Sequence, residues 1–154
     1  MMDRGNGEVT LLIDRLRGRN WRMTVQRRVV AEVLSRPDTH LSADEIFTEV
    51  RGRVPKISRA TVYNTLSELV AMGEVAEVQL VPGATRYDPN ANVRHHHLVC
   101  ENCGRIHDVH PQGLDCLALS DEDRAGFELN RVQVTFRGRC SHCREAEPDT
   151  EPSA

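Results

Sequence analysis

Residues 58–73 read SRATVYNTLSELVAMG, and residues 74–87 continue as EVAEVQLVPGATRY. Ser58 is an N-cap type and Gly73 a C-terminal stop, so a helix fits between them. Val62, Leu66, Leu69 and Val70 form its apolar stripe. Thr61, Asn64, Thr65 and Glu68 fall on another face at helical spacing, with Tyr63 at the border. Short hydrogen-bonding side chains of this kind suit base edges in a major groove. After Gly73 the chain turns β-like, breaks at Pro82-Gly83 and returns through Ala84–Tyr87. A polar-faced helix followed by a hairpin is the winged helix-turn-helix order, in which the recognition helix precedes the wing. A helical bundle with a polar face is the alternative on pattern alone.

Upstream, three further helices are expected. Val9, Leu11, Leu12, Ile13 and Leu16 suggest a short amphipathic helix ending at Gly18. Thr24 caps a second, with Val25, Val29, Val30, Val33 and Leu34 apolar, and Pro37 stops it. Ser42 and Glu45 form a capping box for a third, with Ile46, Phe47 and Val50 inward. Pro55 lies beyond its end.

The chain has 154 residues, 39% hydrophobic but only 4% aromatic, so its core must be aliphatic. No run approaches the roughly 20 apolar residues of a membrane span. The start, MMDRGNGEV, lacks an apolar leader segment, which points to the cytoplasm. Residues 1–60 carry 12 Arg and Lys against 8 Asp and Glu; residues 61–154 carry 8 against 15. A basic half and an acidic half suggest two domains with different partners.

The acidic half holds six of the seven His and all five Cys. Cys100-Glu-Asn-Cys103 and Cys140-Ser-His-Cys143 are two CxxC knuckles, and a two-residue spacer lets both thiolates of each reach one ion at about 2.3 Å. Four thiolates close a tetrahedral shell, so the expected ion is a structural Zn(2+). It would staple the ends of a domain holding a strand pair and a helix. Cys116 fits neither knuckle. In a strand, His95 and His97 share one face and His96 takes the other. Two imidazoles on one face are half a site for Zn, Fe, Ni or Mn. Asp88 and Asp108 are candidate oxygen ligands, and His40 is the outlying His of the helical half. If His40 joins the cluster, an ion would tie one domain to the other.

Several stretches together carry a resemblance. They are Arg22–Arg28 (RMTVQRR), His40–Ile46 (HLSADEI), Ile57–Leu66 (ISRATVYNTL), Arg86-Tyr-Asp88, His95–Gly104 (HHHLVCENCG), and Cys140 with Cys143. Over residues 10–144 the chain resembles the ferric uptake regulator (Fur) family of bacterial metal-dependent repressors, and within it the peroxide-sensing PerR branch. The resemblance implies an α+β protein: an N-terminal winged helix-turn-helix domain (1–82), a hinge (83–92) and a C-terminal α/β metal-binding dimerisation domain with the four-cysteine zinc site (93–144). The acidic tail 145–154 falls outside and is expected to be disordered.

That resemblance places a regulatory Fe(2+) or Mn(2+) on His40, Asp88, His95, His97 and Asp108. The iron-uptake branch typically has Glu at the two Asp positions. It further implies that peroxide reacts with bound Fe(II), that oxygen is inserted into His40 or His95, and that metal and operator are then released. Mn(II) would repress without sensing. DNA contacts carry over to Arg22, Arg59, Thr61, Tyr63 and Asn64, with the Arg-rich segment 15–28 on phosphates and a minor groove of an A/T-rich, inverted-repeat operator. A homodimer is implied, with Val132, Val134 and Phe136 alternating in a dimer-forming strand.

The chain departs from the family's pattern at a few positions. Val25 replaces a common Pro, and Asn64 replaces a common Arg. Val132 stands where relatives with a third metal site have His. Val93 argues against nickel sensing, and Asp88 against the zinc sensors that use Cys. An iron- or zinc-responsive repressor without peroxide chemistry is the alternative reading. A zinc deaminase would need H-x-E and P-C-x-x-C, and neither is present. A thiol-redox protein would react through the CxxC pairs. The expectation is a regulator, not an enzyme, with no small organic substrate and no membrane partner.

Overall fold

A computed structural model describes residues 11–37, 39–91 and 94–146. The chain divides into two compact units, residues 1–93 and 94–154. The expectations for Val9, for Val93 and for the tail beyond residue 146 lie outside the described residues. Among the described residues, no helix is long and apolar enough to cross a membrane.

The first unit contains α1 (Leu12–Arg17), α2 (Val25–Leu34), α3 (Ala43–Arg53), α4 (Arg59–Ala71) and a hairpin of β1 (Ala76–Val81) and β2 (Ala84–Asp88). Each of the last three helices starts where a side-chain oxygen satisfies a first-turn N–H. Thr24 accepts from Arg27, Ser42 from Glu45 in a complete capping box, and Ser58 from Thr61. Their inward residues meet in one aliphatic core that includes Leu16, Val30, Leu34, Ile46, Val50, Leu66 and Leu69. Val25, expected inward, is 73% exposed, because the first helical position lies off the buried stripe.

α4 ends in a Schellman motif. The Glu74 N–H donates to the Leu69 carbonyl at 3.0 Å and the Gly73 N–H to Val70 at 2.9 Å. Gly73 takes a φ of +71°, which a side chain would strain. The next residue, Glu74, is buried, and α1 closes over it. Arg15 Nε donates to one carboxylate oxygen at 2.8 Å, and Arg19 Nη2 approaches the other at 2.6 Å. Arg15 also donates to the carbonyls of Glu74 and Pro89. The two guanidinium groups therefore tie α1 and the turn after it to the turn before the wing, and Arg15 adds the chain leaving β2.

The hairpin pairs Ala76 with Asp88 and Val78 with Arg86. Residues 84–88, expected within a hinge, are thus the second strand of the wing. A bridge from Leu41 to Tyr87 adds the loop before α3 to its edge.

The second unit is a small mixed sheet in the order β4-β3-β5. β3 is His96–Cys100, β4 is Ile106–Val109 and β5 is Thr135–Gly138. β4 runs antiparallel to β3 and β5 parallel to it. A 3-10 turn (Leu114–Cys116), a one-turn α5 (Asp121–Arg124) and a terminal α6 (Ser141–Ala146) complete it. Glu145 and Ala146, expected in the tail, close α6. Val132 and Val134, expected in the strand, precede β5.

Among the described residues of this unit, Val99 and Ile106 are the only buried aliphatics. Such a core is too small to hold a domain without a staple or a partner. Leu98, Leu117, Leu119, Phe127, Leu129, Val132 and Phe136 are all exposed.

Burial alone would raise the Glu74 carboxyl, but the hydrogen bonds and charges of Arg15 and Arg19 outweigh it and hold the group below its ordinary value. A lowered carboxyl stabilises the fold above its unfolded pKa, about 4.3, and that stabilisation is lost as pH falls through the folded value. Glu74→Gln should cost about 2 kcal/mol at neutral pH in urea unfolding. The gap from the parent should close in acid; a gap independent of pH would contradict the ion-pair origin.

Candidate metal centres and nucleic-acid interface

The four knuckle cysteines converge. Cys100 ends β3, and Gly104, at φ +71°, returns its N–H to the Cys100 carbonyl at 2.9 Å, folding Cys103 back. Cys140 follows β5, and Cys143 lies in α6. All four Sγ atoms lie within 4.8 Å of one another, and Cys103 and Cys140 are 3.8 Å apart. Thiolates at about 2.3 Å from one tetrahedral ion stand about 3.8 Å apart, so the set fits zinc.

The thiols already differ in acidity. Backbone N–H groups of Cys103 and Cys140 lead in pulling Cys100 down to about 6. Asn102 favours the Cys143 thiolate, but Cys140, burial, Cys103 and Cys100 together push it up to about 11. The first thiolate forms readily and the last resists, which is the behaviour of a donor set whose negative charges need a cation between them. Cys116 is exposed and outside the cluster.

In the first unit, His40 stands beside Asp88, with Nε2 to Oδ2 at 3.8 Å. The cause is local. The Tyr87 N–H donates to the Leu41 carbonyl at 2.9 Å, which sets each neighbour, His40 and Asp88, one residue from the bridge. Arg86 donates to the His40 carbonyl at 3.2 Å and to Glu45 at 2.6 Å. Burial would raise Glu45, but Ser42 and Arg86 hold it below the ordinary carboxylate value.

In the second unit, His95 and His97 face each other with Nε2 atoms 3.1 Å apart and rings at 84°. Asp108 pairs with His97 across β3 and β4. Its Oδ1 lies 3.7 Å from His95 Nε2 and 3.8 Å from His97 Nε2. Donors at about 2.1 Å from one ion, at right angles, stand about 3 Å apart. Two nitrogens and an oxygen, largely buried and converging, fit a divalent cation. His96, on the other strand face, accepts a hydrogen bond from the Val134 N–H at 2.9 Å.

The expected DNA-reading residues are less uniform. Tyr63 and Asn64 are exposed on α4, and Thr61 is half-buried with its N–H bonded to the Ser58 cap. The polar face itself is shifted from the sequence expectation. Thr65 is buried and its hydroxyl donates to the Thr61 carbonyl at 2.8 Å. Glu68 accepts from Trp21 Nε1 and Arg27. The exposed positions of α4 are instead Arg59, Ala60, Tyr63, Asn64, Ser67 and Ala71.

Arg59 pairs with Asp44 and stacks over Phe47 at 4.7 Å. The basic run needs the same correction. Arg15 and Arg19 serve Glu74, Arg17 pairs with Asp14, and Arg27 pairs with Glu68 while covering Trp21. Arg22 and Arg28 are exposed and, among the described residues, carry no ion pair.

Two contributors escaped the sequence reading. Glu74 was not anticipated as an anchor, and Gln133, whose amide stands 3.2 Å from His97 Nδ1, carries no motif.

The sequence profile described as "Ferric uptake regulator family" matches residues 18–137. The chain is 32% identical over 140 residues to the peroxide operon regulator of Bacillus subtilis, covering 91% of this chain and 96% of that one. It is 31% identical over 138 residues to the ferric uptake regulation protein of the same organism, covering 87% and 93%. Among solved structures, a zinc-bound manganese uptake regulator superposes with a TM-score of 0.69 at 26% identity, covering 85% of this chain and 99% of that one.

Purified wild-type chain should carry about one tightly held zinc through the four thiolates. Cys100→Ser should lose most of it, with the second unit unfolding first in hydrogen exchange. Stoichiometric zinc in that variant, read by elemental mass spectrometry, would show that the knuckles do not hold the ion.

Proposed function

The chain belongs to the ferric uptake regulator family of metal-responsive transcriptional regulators, and we propose that its own signal is peroxide, sensed through a regulatory ion held by His40, Asp88, His95, His97 and Asp108. Regulators of this family are DNA-binding dimers, not enzymes. The observation that carries the reading is the convergence of His95, His97 and Asp108 on one point within the second unit. His40 beside Asp88 in the first unit supplies a second nitrogen-and-oxygen pair of the same kind. Three imidazoles and two carboxylates suit Fe(II) or Mn(II), and the four-thiolate set suits zinc.

Bound Fe(II) would supply one-electron reduction of peroxide, which Mn(II) performs far less readily. The protein's part is to place oxidisable imidazoles beside that chemistry. In net terms, a ring carbon of His40 or His95 would take one peroxide oxygen. The O–O bond breaks, the second oxygen leaves as water and the ring is oxidised by two electrons, which leaves it a poorer lone-pair donor. The ligand set then weakens, and with it the tie between the units that favours the operator-bound form. Asp at positions 88 and 108, where the iron-uptake branch typically has Glu, favours the peroxide branch.

On DNA, the exposed Tyr63, Asn64 and Ser67 would meet base edges, with Thr61 and Arg59 beside them. Arg22 and Arg28 would take phosphates and an A/T-rich minor groove. The exposed apolar side chains of the second unit would be covered in a homodimer, which fits an inverted-repeat operator. A DNA partner and reduced zinc thiolates support a cytoplasmic location. The nearly equal identity to a ferric uptake regulator supports one alternative, a repressor that reads iron or zinc occupancy alone.

Peptide mass analysis after anaerobic Fe(II) loading and a brief peroxide pulse separates the two. One added oxygen on His40 or His95, absent from a Mn(II)-loaded control, is expected. Unmodified histidines with operator binding intact would leave the occupancy sensor. Asp108→Glu should keep metal-dependent operator binding and slow peroxide release about tenfold or more, read by fluorescence anisotropy. Unchanged release would remove the carboxylate length from the mechanism.

A further inference from the structure

The residues leading into β5 hold two neighbouring imidazoles of β3, both through Nδ1. Val134 N–H donates to His96 Nδ1 at 2.9 Å, and the side-chain amide of Gln133 stands 3.2 Å from His97 Nδ1. A neutral imidazole carries one proton, so a partner at Nδ1 decides what Nε2 can do. For His96 the partner is a backbone N–H, which can only donate. The His96 proton is therefore on Nε2, and that ring offers a donor rather than a lone pair.

For His97 the partner is an amide, which can present either end. With its nitrogen forward, the orientation the structure records, Gln133 Nε2 donates to Nδ1, and the His97 proton sits on Nε2. That proton would then point among His95 Nε2, 3.1 Å away, and Asp108 Oδ1, 3.8 Å away, where a cation must bind. With the amide turned over, Oε1 accepts from Nδ1–H, and the Nε2 lone pair can meet a metal. The two ends differ only in hydrogen-bond chemistry, so the rotation needs no change in packing.

We infer that Gln133 is a positioning residue for the regulatory ion: its Oε1 takes the Nδ1–H of His97 and fixes the tautomer whose Nε2 lone pair meets the metal. The inference rests on reading His97 as a ligand. It gives a surface glutamine with no metal contact a defined effect on metal affinity. It also links that affinity to the chain entering β5, since Gln133 moves with Val134, whose carbonyl accepts from the His97 N–H at 3.2 Å. Outer partners of ligating histidines are typically worth about 10–100-fold in metal affinity.

The test uses the full-length, zinc-replete protein. Mn(II) uptake is followed by the electron paramagnetic resonance signal of free Mn(II), with zinc content measured on the same samples. Wild type should take up one Mn(II) per chain beyond zinc. Gln133→Leu should weaken uptake about 10–100-fold with zinc retained. Gln133→Glu, whose carboxylate accepts from Nδ1–H, should bind at least as tightly as wild type. Histidine-ring nitrogen NMR should place the His97 proton on Nδ1 in the wild type and Gln133→Glu proteins. Wild-type affinity in Gln133→Leu, or equal weakening by Leu and Glu, would overturn the positioning role while leaving His97 a ligand. No Mn(II) uptake by wild type would instead overturn the ligand set itself.

Discussion

In the second unit everything of chemical interest hangs on the register of one five-residue strand. β3 carries His97 as its second residue and Cys100 at its end, and its side chains alternate between faces. A slip of one residue would turn His97 outward and bring His96 in. β3 is fixed on both sides. Antiparallel pairing sets His97 against Asp108, and parallel pairing sets Cys100 against Gly138. Because β5 runs parallel to β3, both strands arrive together at the zinc knuckles. Zinc on Cys100 and Cys140 would clamp those two ends. That clamp sets the same register which, at the other end, brings Gln133 and Val134 to His97 and His96. The structural ion would thus hold the regulatory donors in place without touching them, in a unit with too few buried aliphatics to do so alone.

The first unit achieves the same end with backbone bonds and arginines. The Leu41–Tyr87 bridge fixes His40 and Asp88 as neighbours, and Arg86 braces the pair against Glu45 of the capping box. Arg15 then connects the Glu74 anchor to the Pro89 carbonyl, one residue beyond Asp88. The charges that look like a nucleic-acid stripe in the sequence are therefore in large part internal ion pairs: Arg15 and Arg19 with Glu74, Arg17 with Asp14 and Arg27 with Glu68. Of that stretch, Arg22 and Arg28 are exposed and, among the described residues, carry no ion pair, which leaves them for the proposed DNA contacts.

Local chemistry made much of this legible in advance. Ser and Thr before apolar stripes located helix starts, Gly73 located a helix end, and two CxxC spacings located four thiolates. Period-two placement of His95 and His97 gave their common face. What stayed hidden depends on partners far along the chain. Glu68 sits at an outward helical spacing but is claimed by Trp21 and Arg27. Thr65 is the local exception: polar yet buried, it satisfies its hydroxyl on the Thr61 carbonyl one turn back. The readable face of α4 is accordingly displaced by one residue, to Ala60, Tyr63, Asn64 and Ser67. Arg15 and Arg19 face Glu74 across more than fifty positions. Gln133 had no signal at all, since a positioning amide needs only reach and orientation.

The proposed ligand set also says where the energy of a switch must reside. An ion bound only by His95, His97 and Asp108 would bind equally well whatever the placement of the first unit. Equal affinity for two arrangements shifts neither, however tight the binding. Moving an equilibrium from mostly released to mostly operator-competent takes roughly 10⁴-fold preference, about 5.5 kcal/mol. On this ligand set, that preference can come only from bonds that exist in one arrangement, those to His40 and Asp88. On the proposed set, the donors of the second unit would supply affinity, and the pair from the first would supply the switch. Oxidation of His95 would then act by weakening the hold on the ion. Oxidation of His40 would act more directly, by removing a bond that distinguishes the two states.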